Sequence, residues 1–197
     1  MSVKVYVEGG GDHNKALESE CRRGFSKFFE RAGLKDRLPR VVRCGSRQQA
    51  YERFRTAQES RSQDELPVLL IDSEGPLTQR SKWEDARLRR PQGASEDQLH
   101  LMVQAMEAWF HADRDALERY YGDGFRPGSL SQRTSIEDVP RADLFNGLAR
   151  ATKDCTKGEY SKGQHSFQIL AEVDPAKVRA ACPHAELLLT YLDSVCA

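Results

Sequence analysis

The sequence predicts an α/β domain in which a mainly parallel, four-stranded sheet is flanked by helices. Val3, Val5 and Val7 alternate with polar residues and precede a glycine run, which is typical of a strand that ends in a turn. Residues 67–71 form a continuous apolar run, as in a central strand that helices cover on both faces. Because strand and helix patterns alternate, we expect a parallel sheet with right-handed crossovers.

The other elements follow from periodicity and from residues that cap helices. Gly33 is suited to end the first helix, and Ser46 is suited to begin the second. The expected elements are a helix at 12–32, a strand at 40–44, a helix from about 46, a strand at 99–103, and helices at 105–112, 113–121, 141–151, 165–171 and 175–192.

The chain divides into a strand-rich part and a helical part. Residues 122–135 are the best candidate for the boundary, which gives an α/β core at 1–121 and a helical C-terminal region at 122–197 packed on it. Residues 78–97 mix arginine and lysine with acids and are expected to be irregular and mobile. This segment is either a solvated loop or a contact for a phosphate backbone.

Composition limits the classes of protein that the chain can belong to. Lysine plus arginine and aspartate plus glutamate each number 30, so a nucleic-acid contact would need a local basic patch. The sequence has no apolar run of membrane-spanning length and no signal-peptide profile, so we expect a cytoplasmic protein with no membrane contact. The five scattered cysteines argue against a disulfide framework and a zinc ribbon, and we expect reduced, mostly buried thiols.

Four acidic side chains fall where predicted strands end. Glu8 follows the first strand with Asp12 nearby, and Asp72 and Glu74 follow the apolar third strand. The carboxyl ends of parallel strands meet at one edge of a sheet, so these side chains are expected to converge. Carboxylates that converge need a cation, and hard cations such as Mg²⁺ or Mn²⁺ prefer oxygen ligands. In the alternative, Asp72 caps a turn and Glu8 meets the amides of the following helix.

The two acidic segments resemble the signature motifs of the Toprim domain. VEGGGD matches its strand-borne glutamate followed by glycine, and LIDSEG matches its D-x-D pair, with Glu74 as the second acid and Asp12 in place of a glutamate. Toprim domains occur in topoisomerases, primases and nucleases of the overcoming-lysogenisation class. With MVQAMEAWFHAD and the C-terminal segment that begins YSKGQH, most of the chain is similar to the Toprim-like domain of unknown function 4276.

The resemblance implies a divalent-metal-dependent nuclease that acts on DNA or RNA, with Mg²⁺ or Mn²⁺ as cofactor. It also implies an ABC-type ATPase partner in bacterial defence against phage, and a homo-oligomer is left open. Glu107 has the alternative of a favourable place in the first turn of a helix, and Lys162 has the alternative of solvent exposure. The implied metal ligands are Glu8, Asp12, Asp72, Glu74 and Glu107, and the implied catalytic residues are Glu8, Asp72, Glu74 and Lys162.

Two other functions stay open at this point. A Toprim-fold module that binds metal, nucleic acid or a partner ATPase without cutting fits a neutral chain almost as well. A nucleotide-binding domain is weakly indicated, because the glycine run lacks the Gly-Lys-Ser/Thr ending and the G-x-G-x-x-G spacing. The metal hypothesis would lose its basis if each carboxylate had an arginine or lysine of its own.

Overall fold

The computed structural model describes residues 2–9, 15–78 and 80–196. Within them, four strands form one sheet in the order β2-β1-β3-β4, and every neighbouring pair is parallel. This confirms the predicted α/β class and the four-stranded parallel sheet. The strands are β1 (Ser2–Val7), β2 (Arg40–Arg43), β3 (Glu65–Asp72) and β4 (Leu99–Met102).

The helices lie close to the predicted positions. The Ser46 side chain accepts a hydrogen bond from the Gln49 amide at the start of the second helix. The first helix runs into a π-helical turn that contains Gly33 at a φ of 100°. The helices are α1 (Lys15–Phe29), α2 (Arg47–Glu59), α3 (Lys82–Asp85), α4 (Glu107–Ala112), α5 (Arg114–Tyr121), α6 (Arg141–Thr152), α7 (Lys162–Glu172), α8 (Pro175–Ala181) and α9 (Pro183–Val195).

Each face of the sheet carries its own buried core. On one face, Val5 and Leu70 pack with phenylalanines of α1, with Trp109 of α4 and with apolar residues of α6 to α9. On the other face, Leu69 and Ile71 pack with aromatic residues that include Phe54 of α2. Because β3 is covered on both faces, its run of apolar residues has no polar alternation. The predicted boundary between residues 121 and 122 stays a prediction, although side chains from both sides of it share the first core.

Three local predictions need correction or addition. The segment 78–97 is mostly irregular but contains α3, and its Trp83 is buried against Phe54 with the ring centroids 5.8 Å apart.

The single helix predicted at 175–192 is two helices that meet at Cys182, because its backbone is extended there and Pro183 begins the next helix. The helix predicted from residue 165 starts at Lys162, so this lysine lies on a helix and not in a loop.

The state of the cysteines and the length of the helices can be compared with the expectations from composition. The five cysteines are free, and all except the partly buried Cys196 are buried. No helix in the described ranges is both long and apolar enough to cross a membrane.

Candidate functional site

Glu8 stands at the carboxyl end of β1, between β2 and β3. Its amide donates to the carbonyl of Leu70 at 3.2 Å, so the backbone is still paired with β3 at this point. Burial raises the pKa of the Glu8 carboxyl to about 7; the negative charge of Asp72 adds to this, and Lys162 opposes it. Its Oε2 atom is buried and has no hydrogen-bond partner among the described residues.

Gly9 is required at this strand end because a side chain passes over it. A Cβ atom at Gly9 would lie 2.4 Å from Cγ of Arg43, which is the last residue of β2. The Arg43 side chain is buried, and its Nε donates to the carbonyl of Gly9 at 3.4 Å. The close approach of Arg43 thus explains why the residue after Glu8 is a glycine. Gly10, Gly11 and the predicted ligand Asp12 lie outside the described residues.

Asp72 ends β3 and is 1% exposed. Its Oδ1 accepts a hydrogen bond from the amide of Met106 at 2.9 Å. Its Oδ2 accepts from Nζ of Lys162 at 2.8 Å, across 90 residues of chain. Both oxygens of this buried carboxylate therefore have partners, and one of those partners is a cation.

Glu107 is the first residue of α4 and is fully buried. Its Oε1 accepts from the hydroxyl of Tyr160 at 2.6 Å, and its buried Oε2 has no partner in the described part of the chain. Burial raises the pKa of Glu107, and Asp72 raises it further against the opposing charge of Lys162. A place in the first turn of a helix does not by itself explain a carboxylate that is buried this completely.

Lys162 begins α7 and brings a positive charge to these acids. Burial lowers the pKa of its ammonium group, but the charges of Asp72, Glu107 and Glu8 outweigh burial, so the pKa is raised overall. The alternative of a solvated lysine is wrong, because the side chain is 31% exposed and bonded to Asp72. Helix α7 reaches this position by packing on α1, where a Cβ atom at Gly24 would lie 2.6 Å from a carbonyl of α7.

Glu8, Asp72, Glu107 and Lys162 form what we call the carboxylate cluster. It holds three acids and one lysine, so its acids exceed its cations. Within the described residues, Glu8 and Glu107 each leave one buried oxygen unpaired, and such an oxygen needs a proton or a cation. In the described ranges, however, no three histidine, cysteine, aspartate or glutamate side chains are arranged to hold a metal ion. The donors are of the right chemistry for Mg²⁺, but they do not make a closed set of ligands.

Glu74 lies on the loop after β3, two residues beyond Asp72, and its side chain pairs with Arg47. Its backbone is left-handed, with a φ of 61°, and its amide donates to the carbonyl of Gln104 at 2.9 Å. Its carboxylate is 54% exposed and lies 3.2 Å from Arg47. Arg47 also donates to the carbonyl of Asp72 at 2.9 Å, so it fixes the loop that follows β3. A cavity of about 590 Å³ opens here, lined in part by Arg47, Glu74 and Arg87.

The structure therefore brings together four of the six residues implied by the resemblance, and it adds others that the sequence did not single out. Tyr160 and the Met106 amide each bind a carboxylate of the cluster. Arg47 and Gln104 hold the loop that carries Glu74. A tyrosine two residues before Lys162 was the only visible signal for any of these, because the other contacts depend on chain segments that are distant in sequence.

Comparison with known proteins places the chain in one family. A family model described as "Domain of unknown function (DUF4276)" matches residues 7–193, which is nearly the whole chain. Neither the curated proteins nor the solved structures gave a match. The chain belongs to the DUF4276 family, as its resemblance predicted. The wider resemblance to Toprim domains and to nucleases of the overcoming-lysogenisation class stays a prediction.

Proposed function

We propose that this member of the DUF4276 family is a divalent-metal-dependent phosphodiesterase that cuts DNA or RNA. The observation that carries the proposal is that, among the described residues, Oε2 of Glu8 and Oε2 of Glu107 are buried and unpaired near a lysine-bound aspartate. Unpaired buried acceptors are costly to a folded protein, and sites of this kind are concentrated where a protein binds a ligand. The resemblance to Toprim nucleases supplies the choice of reaction.

In this proposal each member of the carboxylate cluster has a separate role. Glu8, Asp72 and Glu107 would hold Mg²⁺ or Mn²⁺. When bound, the ion would supply an activated water and neutralise charge on the phosphate. Lys162 would stabilise the negative charge that develops on the phosphate oxygens, because its ammonium group is already fixed by Asp72. Tyr160 would orient Glu107 through its hydroxyl group.

The other two implied ligands have weaker support. Glu74 is paired with Arg47 and half-exposed, which suits contact with substrate or water at the rim better than a place beside the buried acids. Asp12 lies outside the described residues, and its role as a ligand rests on the resemblance alone. The ATPase partner and the role in defence against phage also rest on the resemblance alone, and a homo-oligomer is left open.

The test is cleavage of plasmid DNA and of RNA by purified protein with Mn²⁺, Mg²⁺ or EDTA. Cleavage is expected only with metal, and Glu8→Gln and Asp72→Asn are each expected to reduce it by roughly 10²-fold or more. Glu172→Gln is the matched control, since Glu172 is an exposed acid at the far end of α7. Circular dichroism of every variant checks that it folds. Cleavage that survives in EDTA or in both cluster variants would contradict the proposal.

A second candidate is a module that binds metal, nucleic acid or a partner ATPase without cutting. The ion pair between Lys162 and Asp72 favours it, because this lysine neutralises Asp72 without a metal. The cleavage assay distinguishes the two candidate functions when it is combined with isothermal titration of the protein with Mn²⁺. Metal binding that depends on Glu8 without any cleavage supports the module, whereas binding with cleavage supports the enzyme.

A further inference from the structure

An aromatic ring that contacts two cations lies next to the carboxylate cluster. Phe145 stands on α6, one helical turn after Arg141, and is only partly buried. The Arg141 guanidinium carbon lies 5.0 Å from the ring centroid, and Nζ of Lys162 lies 5.9 Å from it. Both distances are within the range of cation–π contact. The ring thus connects the catalytic candidate Lys162 with a second cation.

In the described part of the chain, the guanidinium group of Arg141 has no anionic partner. Across the described residues its guanidinium group makes no ion pair within 4.0 Å, and its Nε atom is buried with no hydrogen-bond acceptor. A buried donor without an acceptor costs free energy unless a ligand supplies one. A planar guanidinium group is well matched to the oxygens of a phosphate.

The backbone fixes this ring relative to the cluster. The amide of Arg141 donates to Oε1 of Gln104 at 3.2 Å. The carbonyl of the same glutamine accepts from the amide of Glu74 at 2.9 Å. Gln104 is 6% exposed, so one buried residue joins the start of α6, through its side chain, to the loop after β3, through its backbone carbonyl. Phe145 and Arg141 are therefore held in a fixed position beside Asp72 and Lys162.

We propose that Arg141, Phe145 and Lys162 bind a single-stranded nucleic acid, with a base stacked on the Phe145 ring and a backbone phosphate on Arg141. The inference rests on the proposed function for its choice of ligand and adds strandedness to it. Stacking on an aromatic side chain needs a base that is not already stacked in a duplex. The neutral overall charge of the chain fits a short site of this kind better than a broad basic face.

The test is binding without cleavage, measured by fluorescence anisotropy in EDTA. The probes are a labelled 12-nucleotide DNA strand, the RNA strand of the same sequence and the matching DNA duplex. Single strands are expected to bind more tightly than the duplex. Phe145→Leu and Arg141→Gln are each expected to weaken binding at least fivefold, while Phe145→Trp retains it. Arg141→Gln should also reduce the slope of log affinity against log salt by about 0.7.

The matched control is Arg150→Gln, an exposed arginine in the last turn of the same helix, which should bind as the native protein does. Melting temperatures check that each variant folds, and Phe145→Trp keeps the test valid if Phe145→Leu unfolds. Three results would overturn the inference. They are tighter binding of the duplex than of the single strands, no binding of either single strand, and equal affinity of Arg141→Gln and Arg150→Gln for the single strands. Strand binding that depends on Phe145 and Arg141, without cleavage in the metal assay, would support this site and reject only the proposed reaction.

Discussion

Two buried aspartates in this protein each bind a lysine from the C-terminal helices, but their surroundings differ. Asp113, which precedes α5, is fully buried, and Nζ of Lys177 lies 2.8 Å from its Oδ1. The amide of Ala116 also donates to Oδ1 at 3.3 Å, and the amide of Asp174 donates to Oδ2 at 2.9 Å. Burial alone would raise the pKa of Asp113, but the hydrogen bonds from these donors lower it overall.

Asp72 has an equally short bond to its lysine, yet that lysine is shared. The charge of Lys162 also acts on Glu8 and Glu107, and each of these has a buried oxygen with no partner in the part of the chain that the structure describes. The pKa is raised for both glutamates, whereas it is lowered for Asp113. The pair at Asp113 is complete, which is typical of an ion pair that holds helices together. The carboxylate cluster is incomplete, which is what a site for a cation needs.

The two regions should differ most in how much stability is lost when the lysine is replaced. Lys162→Met leaves three neighbouring acids without a cation and should lower the free energy of unfolding at pH 8 by about 4 kcal/mol. Lys177→Met should cost about 1 kcal/mol, because its side chain is 40% exposed and water can replace it. Urea denaturation of both variants measures the difference. Equal losses would mean that the cluster has no excess of negative charge.

Glu8 should make the folded protein less stable as the pH rises, which is the opposite of the usual effect of a carboxylate. Its pKa is about 7 in the folded protein against an ordinary 4.5, so the folded state binds the extra proton between these values. The stability from this protonation is full below pH 4.5 and is lost as the pH rises through 7, by at most about 3 kcal/mol. Glu8→Gln should therefore be more stable than the native protein at pH 8 and match it near pH 4.5. Thermal melts across this range test it, and a constant difference would contradict it.

Asp113 should show the opposite dependence. Because its pKa is lowered from 3.8 in the folded protein, its carboxylate stabilises the fold above pH 3.8, and this stability is lost as the pH falls below that value. Asp113→Asn should cost about 2 kcal/mol at pH 7 and less at pH 3. Denaturation of the variant and the native protein at both pH values measures this. A cost that stays the same at both would mean that the charge of Asp113 does not matter.

The smallest expected effect concerns the glycines that follow the two acidic strands. Gly9→Ala should lower the free energy of unfolding by about 1–2 kcal/mol, because the new Cβ atom would displace Arg43. Gly75→Ala is the matched control, since nothing lies within 4 Å of a Cβ atom at that position. Chemical denaturation of both variants provides the comparison. Equal stability of the two would show that Arg43 moves aside at no cost.

The sheet and the position of its acids were predictable because both depend on local patterns. The alternation in β1 and the apolar run of β3 indicated the strands, and the rule for parallel sheets placed Glu8 and Asp72 at the same edge. The contacts of Glu74 were not predictable, because neither its left-handed backbone nor its ion pair with Arg47 has a sequence pattern.

The lysines that the C-terminal helices bring to the buried aspartates were not predictable, because their positions depend on tertiary packing. Lys162 reaches Asp72 only because α7 packs on α1, and the bond spans 90 residues. The resemblance implied a catalytic role for this lysine but gave no indication that it binds Asp72. The pair of Asp113 and Lys177 had no sequence signal, since neither residue differs from an ordinary helix cap or a surface lysine.

The central claim is that the acids of the carboxylate cluster bind a divalent cation. A crystal soaked in Mn²⁺ and measured at a wavelength where manganese scatters anomalously tests it directly. We expect at least one anomalous peak within coordination distance of both Glu8 and Asp72. A well-occupied soak with no peak there, and with Lys162 still bonded to Asp72, would contradict the claim.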